Sequence, residues 1–506
     1  MKKTAGRSGI AIVLAALLMF AGSYYGSTFQ LTPEILRQTI TDTTHLQQLE
    51  PAVTPMLHNK YATAFSFAND YKKVVAAVNT KNRDEQHWNK IIYTDYTFNL
   101  TKNSAGGWIT ANNKWLMLLI ALCILCGSLM YIIPKYANGA AGIHNNGIYF
   151  NSFNVRGWLG ILTGSTLILF YMLLYWFPYY ITNWVILVDP LSRMLSGHEA
   201  SQWFLYGLLY TIAVIFMGIR MLLKYRHNPY QQIRTCSVMF FQTAFAFIIP
   251  EILVSLNKPW YDFKNIWPLN YSFFYDYSLK NMMQAGTIGW FMLIWGIALI
   301  IIAVPVLSYF YGKRWYCSWV CGCGGLAETL GDPFRQLSDK SLRAWKTERW
   351  MIHGVLVFAV VMTGATLINF FSDYKLLGNA TNNLHQWYGF LIGSVFSGVV
   401  GTGFYPLMGN RVWCRFGCPL AAWLGMMQRF KSRFRITTNG GQCISCGNCS
   451  TYCEMGIDVR SYAQRGENIV RSSCVGCGIC AAVCPRGVLR LENGPEEGRI
   501  KVDVSA

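Results

Sequence analysis

The sequence is short of charge: 13% of its 506 residues are Asp, Glu, Lys or Arg, against about 25% in an ordinary soluble domain. So little charge cannot clothe a water-facing surface of this size, which argues against a simple soluble enzyme. Acids are scarcest, 24 against 43 bases, for a formal charge of +19. Histidine is thin too, with eight in the chain. His353 alone sits well inside an apolar run, so paired axial histidines are missing, and no Cys-x2-Cys-His run is present to attach a c-type haem. Haem is therefore not expected. What is abundant is apolar and aromatic side chains, 53% and 15%, together with sixteen cysteines.

Apolar runs long enough to cross a bilayer, about 17–25 residues, occur eight times, near 9–27, 114–133, 157–178, 203–223, 236–256, 286–309, 350–371 and 387–406. The first follows Lys2, Lys3 and Arg7 and reads as an anchor, although Ala21 and Ser23 would also suit signal cleavage. Short loops at 134–156, 220–235 and 311–349 hold thirteen Lys and Arg; those at 179–202, 257–285 and 372–386 hold five. Cytoplasmic loops carry the basic excess, so the first set is expected inside a bacterial inner membrane, with both termini if the first span is kept. That face accounts for +18 of the +19. The basic balance thus points to anionic membrane lipid as its partner and not to nucleic acid.

The expected architecture is a multi-span α-helical membrane protein of about eight transmembrane helices with a C-terminal α+β bacterial-type 2[4Fe–4S] ferredoxin module. Its parts are an N-terminal span or signal anchor (1–27), a periplasmic helical segment (28–113), spans two to six (114–310), a cytoplasmic cysteine-containing loop (311–349), spans seven and eight (350–408), a second cysteine motif with a basic connector (409–435), and the ferredoxin module (436–506). In the periplasmic segment Thr32-Pro33-Glu34 signals a helix start, and a second helix is expected near 55–79.

Two cysteine runs carry the chemistry. Cys443-x2-Cys446-x2-Cys449-x3-Cys453 is followed by Cys474-x2-Cys477-x2-Cys480-x3-Cys484-Pro485. Three cysteines at this spacing wrap one corner of a cubane, and the fourth of each run ligates the other cluster. Cys443, Cys446, Cys449 and Cys484 are therefore expected to hold one [4Fe–4S] cluster, and Cys474, Cys477, Cys480 and Cys453 the second. Structural zinc would use four ligands per site without crossing. Glu454 stands where the first run would carry proline.

A second pattern repeats. Arg314-Trp315-Tyr316-Cys317-Ser318-Trp319-Val320-Cys321 matches Arg411-Val412-Trp413-Cys414-Arg415-Phe416-Gly417-Cys418-Pro419, each beyond the inner end of an apolar run. Cysteines four apart share a helical face, so the pairs together offer four thiolates, with Cys323 as a fifth nearby. Either a further cluster or a redox dithiol would suit this membrane-edge site; buried cysteines as small hydrophobes are the plain alternative.

Paired Cys-x3-Cys-Pro motifs followed by a double-cubane module resemble the membrane polyferredoxin family that contains the NosR and NapH proteins. The resemblance covers residues 286–490. It implies an inner-membrane protein passing electrons from a quinol or cytoplasmic donor toward a periplasmic or membrane redox partner, a nitrous oxide or nitrate reductase-type system. The first motif departs from the family with Gly322-Cys323 in place of proline. The NosR flavin domain is missing, so covalent FMN is not expected; Thr363-Gly364-Ala365-Thr366 resembles a flavinylation site but sits inside an apolar run, where small residues serve helix packing. The alternative is a redox-dependent maturation factor for a copper or other metalloenzyme, as in FixG-type proteins, and after that a redox-sensing regulator. Catalytic residues are not expected in an electron carrier of this kind. Three weaker candidates lie in the spans: Glu251, an intramembrane acid, and Cys123 with Cys126, which share a helix face.

Overall fold

The computed structural model describes residues 2–137, 139–143 and 151–493. The end of the ferredoxin segment, 494–506, and part of the 134–156 loop lie outside the described residues. The chain divides into two compact units, residues 1–138 with 172–209, and residues 139–171 with 210–506.

Among the described residues seven helices are long and apolar enough to cross a membrane: Thr4–Tyr25, Trp108–Tyr136, Trp158–Trp176, Gln202–Lys224, Pro229–Ser255, Thr287–Tyr311 and Leu342–Phe371. The protein is a multi-span helical membrane protein. The eighth apolar run also folds as helix, Ala380–Tyr388 continuing through a π-helical stretch Gly389–Val400 into Gly401–Gly403. Its many Gly and Ser residues dilute its hydropathy below that of the other seven.

In the first unit the N-terminal helix Lys2–Gly22 packs antiparallel on Trp108–Tyr136. Small residues make the contact: a Cβ on Gly9 would stand 2.7 Å from the Gly127 carbonyl oxygen. Between these helices the 28–107 segment is not purely helical, as its sequence suggested. A three-stranded antiparallel sheet, Thr28–Gln30 flanked by Lys60–Tyr61 and Ala105–Gly106, supports four main helices. Very short strands with little alternation leave no sequence period to detect. Thr32 caps Pro33–Thr39 as expected, while the longest helix runs Ala64–Asp84. The core is Phe29, Leu31, Leu36, Leu49, Phe67, Tyr71 and Leu100. Helix Thr182–Ser196 joins this segment through a buried Lys102–Asp189 pair at 2.9 Å. Residues 28–107 and 182–196 thus stand on one side of this unit's helices.

In the second unit, two features position the site. The segment 257–275 does not stay at the mouth of the bundle. Tyr261 donates to the Met292 carbonyl, the Phe263 carbonyl accepts from Trp295, and the Lys264 carbonyl accepts from Tyr316 at 2.8 Å, beyond the other end of helix Thr287–Tyr311. It is a re-entrant loop, tolerated at that depth because protein buries it. The ferredoxin module pairs strand Arg435–Thr438 antiparallel with Leu489–Glu492, Arg435 opposite Glu492 and Thr438 opposite Leu489. Its short helices Asn448–Thr451 and Ile479–Ala482 each follow a glycine in the left-handed region, Gly447 at φ +79° and Gly478 at φ +73°. Only glycine adopts that turn cheaply, so each cysteine run bends back on itself identically.

Candidate metal centre

The module gathers its thiols into two groups. Cys443, Cys446, Cys449 and Cys484 line one small cavity, closed by Ile444, Arg460 and Pro485. Cys453, Cys474 and Cys477 surround Cys480, whose thiol is pushed up by burial and then by these neighbours. Backbone N–H groups point at sulfur: Ile457 N donates to Cys453 Sγ at 3.4 Å. Such bonds favour thiolate, which metal binding requires. Burial otherwise pushes Cys449 and Cys474 up to about 11.

The paired motifs also converge. Cys317, Cys321, Cys414 and Cys418 are buried in one core cluster, with Cys323 packed against it. The two motifs have the same backbone. Cys321 N donates to the Tyr316 carbonyl at 2.8 Å, and Cys418 N to the Trp413 carbonyl at 3.0 Å. The expected shared helical face is not what forms. Cys317 ends the short helix Arg314–Cys317 and Cys321 caps the next, Gly322–Thr329; Cys414 and Cys418 stand likewise before Pro419–Lys431. In the second motif Gly417 ends the first helix and Pro419 opens the next; in both motifs the second cysteine becomes an N-cap. The Cys418 thiol accepts from Ala421 N at 3.4 Å. The Cys323 thiol, the Gly324 N–H and the Lys264 and Arg411 charges hold Cys321 below the ordinary thiol range against its burial. Burial pushes Cys317, Cys414 and Cys418 up.

Sulfur spacing separates the metal chemistries. A single zinc with bonds of about 2.3 Å would draw tetrahedral sulfurs to about 3.8 Å. Among the described residues no three of these thiols lie within 4.8 Å of one another. None of these thiol sets is therefore drawn in as a single zinc ion would draw it. Arg411 Nε and Trp413 Nε1 are buried donors without a protein acceptor, the kind of group that suits a sulfide-rich anion. The residues fit iron–sulfur clusters.

One compact group does meet the 4.8 Å spacing, Glu328, Glu454 and Cys477, but it is an ionic hub and not a cation site. Arg335 pairs with Glu454 at 2.8 Å, Arg411 with Glu454 at 2.9 Å and with Glu328, and Arg234 with Glu328. Arg335, Arg411 and Arg234 outweigh the burial of Glu454 and hold it below the usual carboxylate range. Sequence reading missed this hub, because Arg234, Arg411 and Glu454 reach Glu328 and Arg335 from other segments of the chain; the one signal was Glu454 in proline's place.

Membrane helices and their loops grip the second cysteine run. Gln231 Nε2 donates to the Cys477 carbonyl at 2.7 Å, Gln428 Nε2 to the Cys474 carbonyl at 2.9 Å, and Ser318 Oγ to the Val475 carbonyl at 2.7 Å. Gln242, in the π-helical stretch Phe241–Ile248, donates to the Val320 carbonyl at 2.7 Å. The first run faces away, with Cys446 exposed. Between the first paired motif and the second cysteine run lies a cavity of about 620 Å³ walled by Tyr230, Phe241, Tyr311, Trp315, Trp319 and Arg314, and reaching Gly478 and Ala481.

The weaker candidates stand apart. Cys126 is exposed and Cys123 half-buried on Trp108–Tyr136, and neither joins a ligand group among the described residues. Glu251 is half-buried one turn from Ser255. Thr363 Oγ1 accepts from the Trp267 indole at 3.0 Å, a packing role.

Family models match two parts of the chain: a 4Fe-4S dicluster domain at residues 442–489, and a 4Fe-4S binding domain at 289–341 and again at 389–437. The chain is similar to the "Putative electron transport protein YccM" of Escherichia coli K12, 25% identical over 33% of this chain and 48% of that protein. It is also similar to the methylamine utilization ferredoxin-type protein MauN of Methylobacillus flagellatus, 25% identical over 30% and 52%, and of Paracoccus denitrificans, 25% identical over 38% and 66%. The chain thus spans between about half and two thirds of the length of these relatives. No solved structure matches it significantly.

Proposed function

We propose that this protein is a membrane-bound iron–sulfur electron-transfer protein of the bacterial inner membrane, its ferredoxin module on the cytoplasmic face. The observation that carries the reading is that seven of the eight ferredoxin cysteines and all five cysteines of the paired motifs pack into one core, with Cys446 exposed at its rim. On this reading Cys443, Cys446, Cys449 and Cys484 hold one [4Fe–4S] cluster, and Cys453, Cys474, Cys477 and Cys480 the other; Cys317, Cys321, Cys414 and Cys418, with Cys323 beside them, form a third redox site. When bound, each cluster takes up and releases one electron. The chain's own part is to hold the sulfurs, keep water from the inner group and carry the charge-compensating hydrogen bonds. The similarity to an electron transport protein and to ferredoxin-type proteins supports it, and the NosR and NapH resemblance supplies the destination, a periplasmic nitrous oxide or nitrate reductase-type partner.

Two entry points are available. Cys446 is exposed beside Ile444, 54% exposed, and Arg460 and Arg486 line the same rim, a face that suits a soluble acidic reductant. The aromatic cavity at the membrane edge has the volume and lining of a small-molecule site and would seat a quinol ring. Ser237→Trp would fill that cavity. Loss of reduction by a short-chain quinol, with reduction by a low-potential viologen intact, identifies quinol as donor; unchanged quinol reduction assigns entry to the Cys446 face. Failure of both reductants to reduce the wild-type protein refutes the relay.

Copper handling finds less support. In the 28–107 segment Met56 is buried in the core and His45 is bonded to Tyr96 at 2.9 Å, apart from His58 and His87.

A further inference from the structure

The ionic hub touches sulfur on both sides. Arg335 Nη1 lies 3.9 Å from Cys477 Sγ, and Arg411 Nη1 lies 3.7 Å from Cys414 Sγ and donates to the Cys317 carbonyl at 3.4 Å. Both guanidinium groups meet on the Glu454 carboxylate, whose backbone neighbour is Cys453. Arg234, Arg335, Arg411, Glu328 and Glu454 are each no more than 3% exposed. Arg234, Arg335 and Arg411, with Arg220 and Lys224 behind them, outnumber the carboxyl groups of Glu328, Glu454 and Asp332, so positive charge is in excess, in a place where water screens little. A further pairing of Asp332 with Arg220 at 2.8 Å and Lys224 at 2.7 Å fixes Arg335 from behind.

A purely structural ion cluster would be satisfied without approaching a ligand, and buried ion pairs are weak stabilisers. Here the cations lean on one thiol of each site, and the carboxylate between them sits in the chain position where bacterial-type runs have proline. Proline carries no charge, so the departure adds a fixed negative charge beside Cys453 and simultaneously anchors two positive ones.

We propose that Arg335, Glu454 and Arg411 are positioning residues that set the reduction potential of the cluster held by Cys453, Cys474, Cys477 and Cys480, and tie it electrostatically to the paired-cysteine site. The inference rests on the iron–sulfur reading above. Reduction adds negative charge to a cluster, so neighbouring positive charge favours the reduced form and negative charge opposes it. The two clusters of the module should then differ in potential, because the hub touches only one of them.

The test is a potentiometric EPR titration of full-length protein purified without oxygen, comparing wild type with Glu454→Gln and Arg335→Gln, near-isosteric changes of opposite charge sign. Glu454→Gln should raise the potential of the hub-side cluster by at least tenfold in its redox equilibrium, 59 mV for one electron; Arg335→Gln should lower it by as much. The Cys443-side cluster should move by less than a third of this. Should Glu454→Gln lose iron, Asp332→Asn, which removes a carboxylate held ionised against Arg335, substitutes for it with the same expected sign. Shifts of one sign in both variants, equal shifts in the two clusters, or no shift with iron retained would overturn the proposal while leaving the iron–sulfur reading intact. Loss of iron from all three variants, with wild type fully loaded, would overturn it too, by making the hub an element of folding alone. A wild type without iron would defeat the reading itself.

Discussion

At Gly324 an added Cβ would stand 2.0 Å from the Cys317 carbonyl oxygen, whereas at Gly354 it would meet nothing within 4 Å. The helix carrying Gly324 must lie this close for Cys321 and Cys317 to share a pocket. Gly324→Ala should therefore cost about 1–3 kcal/mol by overpacking, read as a lower unfolding temperature in detergent, while Gly354→Ala leaves it unchanged or slightly higher. Glu348 accepts from Arg415 Nε at 3.0 Å and from Ser473 Oγ, tying a membrane helix to both cysteine regions. Glu348→Leu strands a buried guanidinium, a loss of about 3–5 kcal/mol. Faster proteolytic release of the ferredoxin module is the expected sign, and an unchanged cleavage rate would contradict it. The eight ferredoxin cysteines and the five of the paired motifs were singled out by spacing, and the structure brings four of them to one small cavity and twelve into one core. Arg335 and Glu328 were not: they lie seven residues apart, but Arg234, Arg411 and Glu454 reach them from other segments, and nothing in the 311–349 loop marks them as buried.

At the scale of elements, the helices were legible because twenty apolar residues have few alternatives to a membrane span. Depth was not. The 257–275 loop carries Lys258 and Lys264 and was counted as aqueous, yet it turns inward and packs Ile266 into the core around the paired cysteines. Its density of Tyr261, Phe263, Trp267, Phe273 and Phe274 was the available signal. Lys264 and Asp262 form a buried pair at 2.8 Å, 8% and 10% exposed. An amine-reactive reagent applied to open membrane fragments should modify Lys258 and Lys280 and spare Lys264; labelling of all three at similar rates would show that the loop stays outside. The π-helical stretches were equally invisible, since hydrophobic periodicity does not register one extra residue per turn. Two of them adjoin the two cysteine motifs, through Gln242 on one side and Phe396 against Trp413 on the other, as π-bulges often do at functional sites.

For the whole molecule, metal content decides the proposed function. Apolar helices, a gripped inner cysteine run and an exposed outer one would, on the proposed function, keep one redox group sheltered and present another. Iron and acid-labile sulfide, quantified on the full-length protein purified without oxygen and read together with EPR of the dithionite-reduced sample, test that claim most directly. The account predicts at least about eight iron and eight sulfide per chain, the content of two cubanes, with a reduced signal broadened by interaction between neighbouring clusters. Zinc in place of iron, or thiols free of any metal and sulfide, would contradict it.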